Sequence, residues 1–326
     1  MSIQISAIIC TFNRADHLRK SLKSLAEQTL VTELYEILVI DNCSTDETKK
    51  VVTAELVNIP NLHYIYEPKL GLSQARNTGW QHAKGKYIAY LDDDAIANPQ
   101  WLEDVCKAFE EIQPQPGCVG GKTEPIWEST KPLWLPDEFL SYLTIVDWSD
   151  KPIFLENNQF IAGANMAILR SLLVELGGFT LDLGRKGKSL LSCEEILLRD
   201  QIRDKGYGIY YDPDIFVKHF IPSSRLTQSW FTQRLYWQGV SRANLFDIQV
   251  SSSKFRLIKS VMGRLLELIK SPMEVLYLWM PTDKPERFKQ KCNALWKIGY
   301  MSGLTSILFS RARSKTKEKE SSQLGN

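Results

Sequence analysis

The sequence predicts an α/β fold built on a mostly parallel central sheet, and three observations carry that prediction. Through the first hundred residues, short apolar runs alternate with segments of helical periodicity, the pattern of strands joined by crossover helices. Helix-start signals stand before two of the helical segments. Three of the apolar runs end in polar clusters, as strands do when they deliver side chains to one ligand-binding rim.

Ile5–Cys10 reads as a strand, and Leu18, Leu22 and Leu25 give helical spacing after it. Tyr35–Asp41 is a second strand, and Ser44-Thr45-Asp46-Glu47 predicts a capping box for the next helix, with Ser44 at the cap. Leu62–Tyr66 is a third strand, Leu72–Ala83 a helix and Lys86–Asp92 a fourth strand. Asn98-Pro99 predicts a capped helix start. Residues 122–160 hold Trp127, Trp134 and Trp148 with weak periodicity, and read as a long excursion beside the site. Phe160–Leu169 returns to strand character, Glu194–Lys205 is helical, and two strands follow at Gly208–Tyr211 and Ile215–His219. Amphipathic helices are expected from Phe255 onward, and a polar, disordered tail from Arg311.

Composition is that of a globular protein, with 44% hydrophobic and 24% charged residues. The net charge of +2 is unevenly placed. Residues 251–326 hold 15 Lys and Arg against 6 Asp and Glu, a net of +9, while the remainder holds 25 against 32. That asymmetry fits either a solvated basic face or contact with an anionic membrane surface. No nucleic-acid-binding motif accompanies the charge, so nucleic acid is not an expected partner. The six cysteines are scattered without a C-x-x-C pair, which disfavours zinc and redox motifs and fits a reducing cytoplasm. The first residues lack the layout of a signal peptide, and no apolar run is long enough to span a bilayer. A cytoplasmic protein, peripheral at the inner face of the membrane, is expected.

The polar strand ends are Thr11-Phe12-Asn13-Arg14, Asp41-Asn42 and Asp92-Asp93-Asp94. Three adjacent carboxylates raise one another's pKa unless a cation neutralises them. A hard divalent ion, Mg²⁺ or Mn²⁺, suits such oxygen ligands and can also hold a substrate diphosphate; a solvated acidic turn is the simpler alternative. No G-x-G-x-x-G follows the first strand and no G-x-x-x-x-G-K-[ST] occurs, which argues against dinucleotide and P-loop sites. Phe12 is placed to stack on a base, and Asp41 or Asn42 to bond its edge, though Phe12 is equally suited to core packing.

Together with Gly71–Gly79, Leu91–Asp94, Ala162–Ala167, Gly177-Gly178-Phe179 and Glu194-Glu195, these segments make an ordered set over residues 3–240. That set resembles the family 2 glycosyltransferases. The resemblance implies a GT-A type nucleotide-sugar-binding fold followed by a helical C-terminal extension. The GT-A domain would span residues 1–245, with a nucleotide-sugar-binding half at 1–121 and an acceptor-binding half at 122–245. The amphipathic extension would span 246–310 and the tail 311–326. The resemblance also implies inverting transfer of a sugar from a nucleotide-sugar donor, UDP-sugar first, to a glycan or lipid-linked acceptor. Thr11, Phe12, Asn13, Arg14, Asp41, Asn42, Arg76, Asp92 and Asp93 would surround the donor. Asp94, Asp92 and His219 would hold the metal. Trp127, Gly163, Ala164 and Asn165 would line the sugar pocket. Glu194-Glu195 matches a catalytic acidic pair, with Glu195 as the base. Arg185, Lys186 and Lys188 lie in a Gly-flanked loop just before it.

An acceptor hydroxyl is a poor nucleophile, so such a reaction needs one carboxylate to draw off its proton and separate ones to hold metal. Two other readings stand beside it. A nucleotidyltransferase would carry a Gly-rich turn after the first strand, which is lacking. A non-catalytic sugar- or lipid-binding module would be expected to have lost one of the two acidic groups.

Overall fold

A computed structural model describes residues 2–187, 189–250 and 253–323, with side chains as far as Arg311. The chain begins β1 (Ile5–Thr11), α1 (Ala15–Ala26), β2 (Tyr35–Asp41), α2 (Thr48–Glu55), β3 (Leu62–Tyr66), α3 (Leu72–His82), β4 (Tyr87–Asp92), β5 (Ala95–Ala97) and α4 (Trp101–Glu111). It continues β6 (Cys118–Trp127), β7 (Ile153–Phe154), β8 (Asn165–Leu169), α5 (Arg170–Leu176), α6 (Glu194–Asp204) and β9 (Ile209–Ile221). Helices α7 (Gln228–Val250), α8 (Lys254–Lys270), α9 (Pro272–Leu276) and α10 (Pro285–Gln323) follow.

The strands form one mixed sheet ordered β3-β2-β1-β4-β8-β6-β9-β5, with β7 added on β9. Strands β3, β2, β1 and β4 run parallel. β8 enters antiparallel between β4 and β6, and β9 runs parallel to β6. The run Tyr35–Asp41 is buried along its whole length, because helices cover both faces of a parallel sheet and leave no side for polar alternation.

The chain divides into two compact units. Met1–Thr130, Glu138–Gly187 and Glu194–Ser223 make the first; Lys131–Asp137, Lys188–Cys193 and Ser224–Asn326 make the second. The core of the first joins the strands to α1, α3 and α4 through residues such as Ile8, Leu22, Ile40 and Phe109. The second has its own cluster of Ala243, Leu257, Tyr300 and Leu304.

Several expectations are corrected here. Ser44 does not cap α2, which starts at Thr48. The Ser44 hydroxyl accepts from the Asn13 amide instead, and Asp46 takes the Thr48 amide. α4 begins at Trp101 rather than at Asn98-Pro99, and the Asn98 carbonyl accepts from the Trp101 amide. Phe160–Ala164 is not strand, and β8 begins at Asn165. The two strands expected at 208–211 and 215–219 are one, β9, whose pairing with β6 jumps from Asp212 to Val217 around Pro213, a residue with no amide to donate.

The expected division at 121/122 falls inside β6, so the two halves share a strand. The expected boundary at 245/246 falls inside α7, while the compact unit changes at Ser223/Ser224. α10 is described as helical to Gln323, so 311–323 is not irregular; the stretch holds neither Gly nor Pro to end a helix. Residues 324–326 of the expected tail lie outside the described residues.

Within the second unit, α7 and α10 meet closely at Gly299. A Cβ added there would lie 2.0 Å from the Tyr236 carbonyl oxygen, a backbone atom that cannot swing aside. Gly299→Val is therefore expected to lower the unfolding free energy by about 1–3 kcal/mol, read as a lowered urea midpoint.

Candidate active site

The parallel register aligns the carboxyl ends of the first strands. Thr11 lies opposite Asp41, Asp41 opposite Tyr66, and Cys10 opposite Asp92. The turn after β4 then carries Asp93 and Asp94 into β5. β5 pairs with β9 so that Ala95 faces His219, and the Phe220 amide bonds the Asp94 carbonyl at 2.9 Å. This brings the imidazole Nε2 of His219 within 3.0 Å of the Asp94 carboxylate. Asp92, Asp94 and His219 each offer one ligand atom, and these atoms lie within 4.8 Å of one another.

The other contacts of this turn are internal. The Arg14 guanidinium donates to Asp94 and lies 3.9 Å from Asp93. The Thr11 hydroxyl donates to Asp93 at 2.8 Å. Burial and the adjacent Asp94 hold the Asp93 carboxyl above the usual carboxylate range, against the pull of Arg14. The carboxylates of this turn repel one another and carry more negative charge than the Arg14 guanidinium offsets, an excess that a divalent cation would neutralise. His219 is buried, and its Nδ1 has no hydrogen-bond partner among the described residues. An imidazole and two carboxylates in this arrangement fit a divalent cation.

A second acidic group opens α6. Arg76 of α3 donates to Glu194 at 3.0 Å and pairs with Glu195 at 3.0 Å. Its guanidinium lies over the rings of Phe179 and Tyr90, 5.3 and 5.9 Å from their centroids. Burial works against the charge on Arg76, but Glu195 and Glu194 outweigh it and hold its pKa above the ordinary value; the field of Asp92 adds to theirs. Burial and Glu195 hold the Glu194 pKa above the ordinary value, and its Oε2 has no hydrogen-bond partner among the described residues. The two glutamates differ in access, for the Glu194 side chain is 3% exposed and that of Glu195 26%.

The sheet sets the two acidic groups on one rim. Leu91 pairs antiparallel with Asn165 as the last rung of β4 on β8, and the chain just before it turns at Gly163 and Ala164, where the Asn165 amide bonds the Ala162 carbonyl at 2.9 Å; the charge of Asp92, next after Leu91, acts on Arg76. A Cβ on Gly163 would fall 2.1 Å from Glu195 Oε1 and 2.4 Å from an Arg76 nitrogen. Only glycine admits the carboxylate and the guanidinium this close to the backbone.

The remaining expected residues divide by what their polar atoms do. Phe12 is 40% exposed at the end of β1 and open to a stacking partner. Asn13 takes a left-handed conformation, φ 54°, and its side-chain Oδ1 accepts from the Thr45 amide. Asp41 accepts from Tyr64 and from the Ser44 amide. Asn42 spends its amide on the backbone of Glu67, Lys69 and Gly71, so it shapes the loop rather than facing a base. Arg76, expected at the donor diphosphate, has both terminal nitrogens on the glutamates. Asn165, expected in the sugar pocket, is fully buried and bonds Trp101, Lys122 and Ile215. Ala164 is likewise buried.

Trp127 is half-buried, and the β6–β9 register sets it on the His219 face of the sheet, two residues past Pro125. The Arg185 carbonyl accepts from the Leu72 amide, and Lys186 lies near Gly71. Lys188 is outside the described residues. Tyr64 and the 55%-exposed Tyr66 are further residues of this rim. Their signal in the sequence was the end of the third apolar run.

The sequence model described as "Glycosyl transferase family 2" matches residues 6–177. The glucosyl-dolichyl phosphate glucuronosyltransferase of Haloferax volcanii is 27% identical over 282 residues, 83% of this chain and 88% of the relative. The succinoglycan biosynthesis protein ExoM of Rhizobium meliloti is 23% identical over 249 residues, 75% of each chain. Among solved structures, the mannosyltransferase PcManGT of Pyrobaculum calidifontis, in complex with GDP-Man and Mn²⁺, superposes with a TM-score of 0.57 at 18% identity. It covers 96% of this chain and 76% of that one. TarS 1–349 of S. aureus, in complex with UDP, gives 0.51 at 16% identity and covers 94% and 92%. The fold is that of the GT-A glycosyltransferases.

Two outcomes follow from this geometry. Gly163→Ala is expected to lower the catalytic rate constant by about 10²-fold while the thermal midpoint falls little, since displacement of a reacting group by about 1 Å has that effect. Steady-state kinetics beside a thermal melt check this. The raised pKa of Glu194 favours its protonated form in the folded chain. Its contribution to stability is present below the unfolded-state value and is lost as pH rises through the folded one. Glu194→Gln is expected to flatten the decline of the thermal midpoint across that rise.

Proposed function

The chain belongs to glycosyl transferase family 2, and on that footing we propose that it moves a sugar from a nucleoside-diphosphate sugar to an acceptor hydroxyl, inverting the anomeric carbon with the help of a divalent metal. The observation that supports this most is the close set of Arg76, Glu195 and Gly163 at the rim where β4 ends in Asp92, whose charge acts on Arg76.

In this reading, Glu195, the more accessible glutamate, takes the proton of the acceptor hydroxyl as its oxygen attacks the anomeric carbon. The bond between that carbon and the diphosphate breaks as the new one forms. Arg76 holds the Glu195 carboxylate in place, and buried Glu194 steadies Arg76 from the other side. Asp92, Asp94 and His219 would hold Mg²⁺ or Mn²⁺, which when bound offsets the charge gathering on the leaving diphosphate. Phe12 stacks on the base beside Asp41, Thr11 and Asn13 shape the loops around it, and Trp127 lines the sugar side. Arg14 balances Asp93 and Asp94. The acceptor is a glycan or a lipid-linked sugar, met at an anionic membrane surface to which the chain binds peripherally. No helix among the described residues is long and apolar enough to cross a membrane.

A panel of nucleotide sugars, UDP-sugars first, assayed with and without Mn²⁺ or Mg²⁺, tests the reading. Glu195→Gln is expected to lower the rate constant for transfer by about 10²–10⁴-fold with donor affinity by calorimetry nearly unchanged. Asp94→Asn is expected to abolish the stimulation by metal. Normal turnover by Glu195→Gln would remove the base assignment, and metal-independent turnover by the parent would remove the metal.

A further inference from the structure

Helix α8 is amphipathic twice over. Its inner stripe is conventional: Leu257 packs with Ala243, Tyr300 and Leu304, and Val261 joins them. Its outer face is apolar as well. Phe255, Ile258, Met262, Leu265, Leu266 and Ile269 are all exposed, Phe255 by 75% and Ile269 by 66%. At 3.6 residues per turn these six fall within an arc of about 100°. Beyond the helix in the chain, Met273, Leu276 and Trp279 are exposed as well, Trp279 by 78%. A run of this size is unusual on the solvent side of a soluble protein and marks a surface that is covered in use.

The charges bordering the stripe identify the cover. Lys259, Lys270 and Arg256 are exposed along one flank of it, within about 100° of its edge at the same helical pitch. Arg264 lies elsewhere, bonded to Glu267 at 2.8 and 2.7 Å and set over the rings of Trp296 and Tyr300. The acid of α8 is thereby neutralised within the unit, and its outward charge is positive. An apolar stripe edged by cations, with an exposed Trp beside it, is the arrangement of a helix lying in the plane of a membrane interface. A second copy of the same face, paired antiparallel by a twofold axis across the helix, would bring the two basic flanks to the same side.

We propose that the outer face of α8, continued to Trp279, docks on the surface of an anionic lipid bilayer, with its apolar side chains in the headgroup boundary and Lys259 and Lys270 on lipid phosphate. This deepens the membrane side of the function proposed above and rests on that part of it; the transfer chemistry stands without it.

Co-sedimentation of the full chain with vesicles of phosphatidylcholine, alone or mixed with phosphatidylglycerol, tests the docking. Binding is expected on the mixed vesicles, weakening as salt rises, and little on phosphatidylcholine alone. Phe255→Ser/Ile258→Ser/Ile269→Ser is expected to weaken partitioning by about tenfold or more. Lys259→Glu/Lys270→Glu is expected to abolish the preference for anionic vesicles. All of these side chains are exposed, so both variants should keep the parent's circular dichroism and its donor turnover, which separates loss of docking from loss of the catalytic site. Three results would overturn the proposal: a parent chain that ignores anionic vesicles, a triple variant that partitions like the parent, or light scattering in which the triple variant turns a dimer into a monomer while neither protein binds vesicles. The last would assign the face to a second copy of the chain.

Discussion

Arg76 lies 3% exposed between two carboxylates, 3.0 Å from each, and ties α3 to the start of α6 across 118 residues of sequence. Taking three ionisable groups out of water carries a desolvation cost that only close geometry offsets. Removing one partner of such a group costs about 3–5 kcal/mol, because an uncompensated charge stays behind. The arrangement therefore defines where Glu195 can be. Its other boundary is the bare backbone of Gly163, and Gly163 is held at the rim by the pairing of β8 with β4. The accessible glutamate is thus positioned by an ion pair on one side and by the sheet on the other.

The acidic turn after β4 is built by different means. Its carboxylates are not spread into solvent; Asp93 and Asp94 are buried, and Arg14, Thr11 and His219 converge on them from three elements. Low dielectric surroundings strengthen each of these contacts and make the remaining negative charge harder to tolerate. The same burial that strains the turn makes it receptive to a cation. Its nearness to Arg76 is electrostatic as well as geometric, since Asp92 adds to the field that keeps Arg76 charged. A site of this kind has two acidic groups with opposite requirements, one hungry for a cation and one whose cation is already built in.

The second unit follows another logic. Its core is helix on helix, with α7 and α10 in contact at a glycine and α8 laid against them through Leu257. Satisfying one face of α8 this way still leaves six large apolar side chains on the other. Positive charge gathers in the same part of the chain, and lysines flank the apolar stripe rather than interrupting it, as they would on a face kept in water.

Strands β1 to β4 were legible in the sequence as short apolar runs, which arise where a parallel sheet is covered on both faces; β5, three residues long, was not. The acidic turn was legible for a related reason, being local and falling at a strand end that the apolar run marks; the Glu194-Glu195 pair was singled out by the resemblance, at the start of a segment of helical periodicity. Helix caps were read less well. Ser44 and Asp46 stand two residues apart, and which of them meets the helix depends on Asn13, a residue of another loop. The roles of Asn42, Arg76 and Asn165 were not readable for the same cause. Each is a polar residue whose partners lie far off in the chain, from 25 to 119 residues away, and hydrogen-bonding capacity says nothing about which distant group will use it. Residue type and period thus determined the sheet, its polar rim and the acidic turn after the fourth strand, and the resemblance added the glutamate pair. Tertiary structure decided which polar atoms are spent on the fold and which are left to a substrate, because that depends on burial and on partners that only long-range packing brings together.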